Sequence, residues 1–473
     1  MSYQVPQHID SNKVFIVNRS EIKGRLDPHY NKPFYSKLWH LLSRQNYKLA
    51  KIKDNSICLF SGITPKSGGD AYAATGGVPF IRSGDFSETN EINFSQLLHL
   101  KEEVHQGLMQ SSQLKKGDLL IAIVGATIGK IGVYQYDVDA NINQAICAVR
   151  LKDDISPYYV QAFYQTSIGQ NIIGRIKRPV ARANINIEEV GNFPIPMLDP
   201  HRQQEIVRLV EEGMNLKKKK DLEALQLLKS IDTYLLDELG ILLPEVRNEL
   251  KDRIFLLNRC ELEGRFDPTV YKDGIKLISP KWDNVKLSKV AYVNPSGVYK
   301  GENSATPISF VPMEIIDETF SEITTMSETT IDQSSGFTKF REGDLLWAKI
   351  TPCMQNGKSA IAKNLTNGLG CGSTEFFILR PKDERLAIEY LHVILHMKCV
   401  RETAMLYFGG SAGQQRVPAS FLENFNIPLP PKEKQIEIAN HVYELRQHAK
   451  TMQEEGKRIL ESAKLEVERM ILQ

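Results

Sequence analysis

The chain has 473 residues, 42% of them hydrophobic and 25% charged, with a formal net charge of +2 at pH 7. That length exceeds a single hydrophobic core and predicts roughly two to four domains. The composition is that of an ordinary globular protein, and near-neutrality means that whole-chain charge calls for no anionic partner, although a local basic patch stays open.

The N-terminal MSYQVPQHID lacks the basic region and apolar run of a signal peptide. The six cysteines are scattered without close pairs, a usage that fits a reducing compartment and predicts a cytoplasmic location. The first informative phrase is NRSEIKGRLDP at residues 18–28. Taken alone, its Arg19, Arg25 and Asp27 are candidates for a site. The phrase returns as NRCELEGRFDP at residues 258–268, identical at seven of eleven positions. Duplication turns that reading around, because shared residues are the framework and the phrase becomes the N-terminal bracket of each copy.

More pairs follow in chain order. YKLAKI (47–52) meets VKLSKV (285–290), and VPFIRSGDF (78–86) meets ISFVPMEII (308–316). LKKGDLLIA (114–122) meets FREGDLLWA (340–348), and GNFPIPMLDPHRQQEI (191–206) meets ENFNIPLPPKEKQIEI (423–438). The offset drifts from 240 to 226 and back to 232 while the order holds. One unit of about 230 residues is therefore used twice, a period far too long for a solenoid.

Each copy has two textures. Its first part carries short apolar runs broken by Gly, Pro, Asn and Asp, which predict short strands in a mixed, β-rich domain. The longest apolar run, residues 119–129, is about half a membrane span and ends at Lys130, so it reads as a buried strand with a loop. PYYVQAFYQTSIGQNIIG and AIEYLHVILHMKCVRETAML predict helices. The second part of each copy is one long helix. The first is stopped near Gly240 and Pro244, and the second runs almost to the C-terminus. Val210, Met214, Ala224, Leu228, Ile231 and Leu235 in the first, and Val442, Leu445, Ala449, Met452, Ile459 and Ala463 in the second, with Gly456 in the seam, predict a coiled coil. The fold class expected is α+β: two mixed, β-rich domains joined by two long helices in an antiparallel coiled coil, with a pseudo-twofold internal repeat. The expected divisions are 1–197 and 244–430 for the domains, and 198–243 and 431–473 for the helices.

The motifs offer little catalytic chemistry. GATIGK (125–130) has three residues between its glycines where a phosphate loop has four, and Ile131 follows the lysine. His392 and His396 have the i, i+4 spacing of two metal ligands without a third and read as structural. Basic clusters are more suggestive. GRIKRPVARANI places Arg175, Lys177, Arg178 and Arg182 together, and the aligned region of the second copy holds Gln414, Gln415 and Arg416 in a glycine-rich loop. These side chains suit phosphates and base edges. Arg82, Lys130 and Lys358 join them as DNA-contacting candidates. The KKKK run (217–220) lies mid-helix and reads as a solvated face or partner stripe.

In their order, SGITPKSGGDAYAATGGVPFIRSGDF, GDLLIAIVGATIGKIGV, NINQAICAVRL and IPLPPKEKQIEIA resemble the specificity subunit of type I restriction–modification systems over nearly the whole chain. The resemblance implies two target recognition domains, each reading one half of a split DNA site. It implies helices that set the gap and dock two methyltransferase subunits, and restriction/translocase subunits beyond them. S-adenosylmethionine, ATP and Mg are then expected on partner subunits and no cofactor or metal on this non-catalytic chain. The opening of the second domain, NPSGVYKGENSATPISF, lacks the Gly-Ile-Thr-Pro phrase, and few identities link the two domains outside the framework phrases, so two unlike half-sites are expected. The alternative is a self-contained nuclease or methyltransferase with an unrecognised active site.

Overall fold

The duplication reappears as two sets of elements in the same order. The computed structural model describes residues 10, 13–22, 25–66, 69–178, 183–243, 256, 267–410 and 414–473. Its contacts form two units, Met1–Asp221 with Glu454–Gln473, and Leu222–Gln453. Each unit therefore takes part of both long helices.

The first unit contains α1 (Pro33–Ser43), β1 (Lys48–Lys51), β2 (Ser56–Ser61), β3 (Val78–Ile81), β4 (Leu98–Leu100), α2 (Glu102–Gln106), β5 (Leu119–Ala122), β6 (Ile131–Val133), β7 (Asn141–Ile142) and β8 (Ile146–Leu151). Then come α3 (Pro157–Gln165), α4 (Ser167–Ile176), α5 (Ile187–Gly191), β9 (Pro194–Met197) and the long α6 (Pro200–Leu239). The second unit has α7 (Pro268–Asp273), β10 (Asn284–Lys286), α8 (Leu287–Val290), β11 (Ala291–Val293), β12 (Pro307–Val311), β13 (Ile316–Asp317), β14 (Glu322–Ile323) and β15 (Ser327–Thr330). It continues with β16 (Thr338–Arg341), β17 (Leu345–Ala348), β18 (Ser359–Ile361), β19 (Leu369–Gly372), β20 (Phe376–Pro381), α9 (Ile388–His396), α10 (Lys398–Met405), α11 (Ala419–Asn424), β21 (Asn426–Pro428) and α12 (Lys432–Leu472).

The four-stranded core sheets match strand for strand. The order β2-β8-β5-β6 in the first unit corresponds to β11-β20-β17-β18 in the second. A parallel pair, β3 with β7 and β12 with β19, lies in the next sheet of each unit. The central strands LLIA (β5) and LLWA (β17) are buried at every residue, as expected of strands covered on both faces. Leu119 and Ile121 join the core with α3, while Leu120 and Ala122 join a second core with Ile146 and Ala148. This is the two-residue alternation of a strand.

The repeated Gly-Asp before these strands now has a physical role. Gly117 and Gly343 take φ of 92° and 81°, a region open mainly to glycine. The following Asp118 and Asp344 are each 1% exposed. Asp118 accepts from Arg150 at 2.8 and 2.6 Å, and Asp344 accepts from Arg380 at 2.6 and 2.6 Å. A buried bidentate pair is well made only when both partners are present, so the arginines belong to the same framework. Tyr159 donates to the Pro196 carbonyl and Tyr390 to the Pro428 carbonyl, which ties the first helix of each pair to the last strand of its domain.

The long helices begin alike. Buried Gln203 and Gln435 turn back to donate to the Leu198 and Pro430 carbonyls at 2.9 and 2.8 Å. Within the first unit, Ile206 and Val210 of α6 share a core with Leu460, Val467 and Ile471 of α12. A Cβ added at Gly213 would lie 3.1 Å from Ala463 Cβ, and one at Gly456 would lie 3.2 Å from Lys217 Cα. Within the second unit, Ile231, Leu235 and Leu239 share a core with Ile438 and Val442, and Lys434 pairs with Glu238 at 2.8 Å. In both units low-numbered residues of one helix meet high-numbered residues of the other, so the helices form the expected antiparallel coiled coil. The seam differs in detail from the expected register. Ile459 is half-buried while Leu460 is 2% exposed, because a 3.6-residue turn drifts against a strict alternation of three and four.

Cys58, Cys147, Cys353, Cys371 and Cys399 are free. Among the described residues no helix is long and apolar enough to cross a membrane.

Candidate nucleic-acid interface

Three loops converge in each unit, and they carry most of the candidates. In the first unit they follow β3, β5 and α4. The Lys130 ammonium reaches the Ser83 and Gly84 carbonyls at 3.4 Å each. Gly125 N–H donates to the Ala183 carbonyl at 3.1 Å, and Ile185 N–H to the Ile123 carbonyl at 2.9 Å. The second unit repeats the pattern. Lys358 reaches the Met313 carbonyl at 3.2 Å. Thr351 N–H donates to the Gln415 carbonyl at 3.0 Å, and Val417 N–H to the Lys349 carbonyl at 2.9 Å. The GATIGK phrase is thus one of three joined loops, and its lysine fastens a neighbouring turn by main-chain carbonyls. Half-buried against the Phe86 ring at 5.0 Å, Lys130 has its pKa lowered by burial, with Asp85 and Glu88 opposing that shift.

The arginines of these loops are held by carboxylates. Arg82 pairs with Asp85 at 2.9 Å, which raises its pKa. Arg178 pairs with Glu189 at 2.9 Å, and Glu189 also closes the capping box of α5 with Asn186. Arg416 is bidentate to Glu375, with Nε at 2.9 Å and Nη2 at 2.8 Å, and that contact lowers the Glu375 pKa. Each guanidinium has five N–H donors and gives part of them to its carboxylate, so the remaining edge is oriented in advance. Sequence reasoning counted the positive charges and missed Asp85, Glu189 and Glu375. Only the i, i+3 spacing of Arg82 and Asp85 was a usable signal.

The other candidates are placed as follows. Arg175 turns away from this loop cluster. Its Nε donates to the Tyr30 carbonyl at 3.0 Å and its guanidinium lies 4.3 Å from the Tyr30 ring centroid. Arg25 covers the same ring at 4.9 Å, pairs with Asp27 at 2.7 Å and donates to the Ile176 carbonyl at 2.7 Å. His29 bonds the Gly174 carbonyl at 2.7 Å. The repeated N-terminal phrase therefore brackets the C-terminal end of α4, immediately before the basic loop. Residues 258–266 of its second copy lie outside the described residues, as does Arg182. Lys177 is half-buried at the end of α4, Gln414 is exposed, and Gln415 is half-buried.

His392 is packed and His396 is half-buried. His392 is 6% exposed, bonds Ser359 Oγ at 3.0 Å and has its pKa lowered to about 3 by burial and then by Arg446. Among the described residues no group of three or more His, Cys, Asp and Glu could hold a metal ion. The KKKK run is partly engaged. Lys218 reaches Glu91 at 2.7 Å and Lys220 reaches Glu455 at 2.8 Å. Lys450, the counterpart of Lys218 in α12, reaches Glu322 at 2.6 Å.

Comparison with known proteins places this architecture. The family model described as type I restriction modification DNA specificity domain matches residues 46–231 and again 280–459. The specificity subunit of the type I restriction enzyme EcoEI of Escherichia coli is 38% identical over 164 residues, 33% of this chain and 26% of that protein. The EcoAI specificity subunit, also of Escherichia coli, is 35% identical over 158 residues, with the same shares. The chain thus spans about a quarter of the length of these two curated relatives. Among solved structures, the type I restriction-modification S subunit from M. genitalium is 11% identical, with 90% of this chain and 96% of that one covered and a TM-score of 0.37. With both copies matched by the model, and with the duplicated domains and paired helices on which the match falls, the chain belongs to the type I restriction modification DNA specificity family.

Proposed function

We propose that the chain is the non-catalytic DNA-recognition subunit of a type I restriction–modification complex. The observation that carries this reading is the three-loop cluster built twice on one framework with different side chains. Repeated bonds hold the loops, while Arg82, Lys177 and Arg178 in one unit answer to Gln414, Gln415 and Arg416 in the other. Arginine and glutamine present the donor patterns that major-groove edges of guanine and adenine accept. Two unlike clusters suit a split target with two different halves. Arg182 counts among the DNA contacts in this reading. Lys130 and Lys358 fix the loops, and Arg175 supports them through Tyr30.

The helices set the gap. Adding one base pair to a gap turns a half-site by about 36° and moves it about 3.4 Å, which a stiff spacer does not follow. Two linked readers gain affinity together only when the spacing fits. The division into domains at 1–197 and 244–430 and spacers at 198–243 and 431–473 belongs to this proposal. So do two docked methyltransferase subunits and the restriction/translocase subunits. S-adenosylmethionine, ATP and Mg then belong to those partners.

The test is to co-express the chain with its genomic neighbours and map methylated adenines. A split motif with unlike halves and a fixed gap is the expected result. A palindrome overturns the two-reader assignment. Methylation or cleavage by the purified chain alone overturns the non-catalytic reading. Arg178→Glu should weaken DNA binding and reduce its salt dependence, and unchanged affinity removes that loop from the interface.

A further inference from the structure

The two long helices align with an offset of 232 throughout, from Gln203 with Gln435 to Leu239 with Ile471. Three apolar seam positions keep their character under this alignment, Ile206 answering to Ile438, Val210 to Val442 and Leu235 to Val467, all 3% exposed or less, whereas buried Met214 answers to buried Arg446. Three positions reverse their charge under this alignment, Lys229 with Glu461, Asp237 with Arg469, and a third that alone is not exposed in either helix. Lys464 in α12 corresponds to Asp232 in α6.

Both side chains face the domain of their own unit. In the first unit Lys464 is 9% exposed. Its ammonium lies 3.2 Å from Glu88, on the loop after β3, and 2.9 Å from Glu461. In the second unit Asp232 accepts from the Lys398 N–H at 3.1 Å, at the first turn of α10. Arg401 of α10 and Arg446 of α12 both feel its charge, and Arg446 is 7% exposed. The corresponding first N–H of α4, from Ser167, is bonded by Glu468 at 2.6 Å. The carboxylate that meets this helix start therefore sits one turn further along in the first unit, and its counterpart in the second is Leu236.

We propose that Lys464 and Asp232 form a charge key that assigns each recognition domain to its own helical segments. A domain presenting Glu88 fits a helix pair offering Lys464. A domain presenting Lys398 N–H and Arg401 fits one offering Asp232, and meets a buried like charge on the other. Such a mismatch is costly because a half-buried charge without its partner loses hydration and gains nothing. The three matched apolar pairs cannot make this distinction. The key makes the two domains non-interchangeable, and under the function proposed above it fixes which half-site each end reads.

The test uses the full chain without DNA, so its outcome is separate from the DNA-binding reading. Hydrogen exchange is followed over residues 84–91 with 167–176, and over 398–405. Lys464→Glu should raise exchange in the first set about tenfold and leave the second unchanged. Lys464→Met, which keeps the packing and removes the charge, should raise it less than about threefold. Adding Glu88→Lys to Lys464→Glu should restore protection. Asp232→Lys should raise exchange over 398–405 about tenfold, and Asp232→Asn much less. Equal effects of reversal and neutral replacement at both positions, or no recovery in the Glu88→Lys pair, overturn the key.

Discussion

Acid should loosen the second unit before the first, and His392 is the reason. Its imidazole is buried, contacts Ser359 Oγ at 3.0 Å and has its pKa lowered to about 3 by burial and Arg446. An unfolded histidine titrates near 6.5. Below that pH the unfolded chain binds a proton that the folded chain refuses, so stability is fully present above about 6.5 and falls as pH drops toward 3. The slope is about 1.4 kcal/mol per pH unit, which gives about 2 kcal/mol between pH 6.5 and 5. His396 beside it has its pKa lowered well below the ordinary value by burial and then by Arg446, and acts in the same direction. The corresponding residues of the first unit are Gln161 and Gln165, which do not titrate. Hydrogen exchange corrected for intrinsic rates should show α9 losing about thirtyfold protection between pH 7 and 5, with α3 unaffected. His392→Gln should remove part of that loss, with the remainder removed on adding His396→Gln. Equal losses in α3 and α9, or an unchanged loss in His392→Gln, would refute the reasoning.

Arg380→Leu leaves the Asp344 carboxylate buried with the Arg341 N–H at 2.9 Å, and should cost about 3–5 kcal/mol; thermal unfolding near the wild-type temperature would contradict this. Arg150→Leu should act on the first unit with a smaller effect, since Arg150 is the more exposed of the two, at 23% against 15%. Gly456→Leu pushes a side chain into Lys217 and Lys220, for which overpacking costs about 1–3 kcal/mol and helix propensity returns about 1 kcal/mol. Its melting temperature should fall, with Gly456→Ala closer to wild type. Lys358→Met removes the bond to the Met313 carbonyl and should cost about 1 kcal/mol, while the salt slope of DNA binding shifts by less than one unit, as measured by titration at several salt concentrations.

Much of the architecture was legible because it is written twice. The Gly-Asp before β5 and β17 stood out by repetition, and the structure supplies its cause in the Asp118–Arg150 and Asp344–Arg380 pairs. The Gln common to both helix entries proved to be the residue that turns back to tie each helix to the chain before it. The loop clusters were legible only as charge. Arg175 looked like its neighbours in GRIKRPVARANI, yet it belongs to the bracket around Tyr30, some 145 residues away in sequence. The carboxylates that hold Arg178 and Arg416 lie 11 and 41 residues off, and no local pattern links them. Long-range partners of this kind are set by loop closure in three dimensions and have no periodicity to read. The seam at Leu460 in place of Ile459 shows the same limit on a smaller scale, because one residue of helical drift decides which of two adjacent apolar side chains is covered.

Lys130 and Lys358 grip main-chain oxygen, and a carbonyl is the same whatever residue carries it. Ser83 in one unit and Met313 in the other are both held this way. A fastening that ignores side-chain identity places no veto on what the loop displays. New loop sequences can be tried on this frame with the fold left out of the trial.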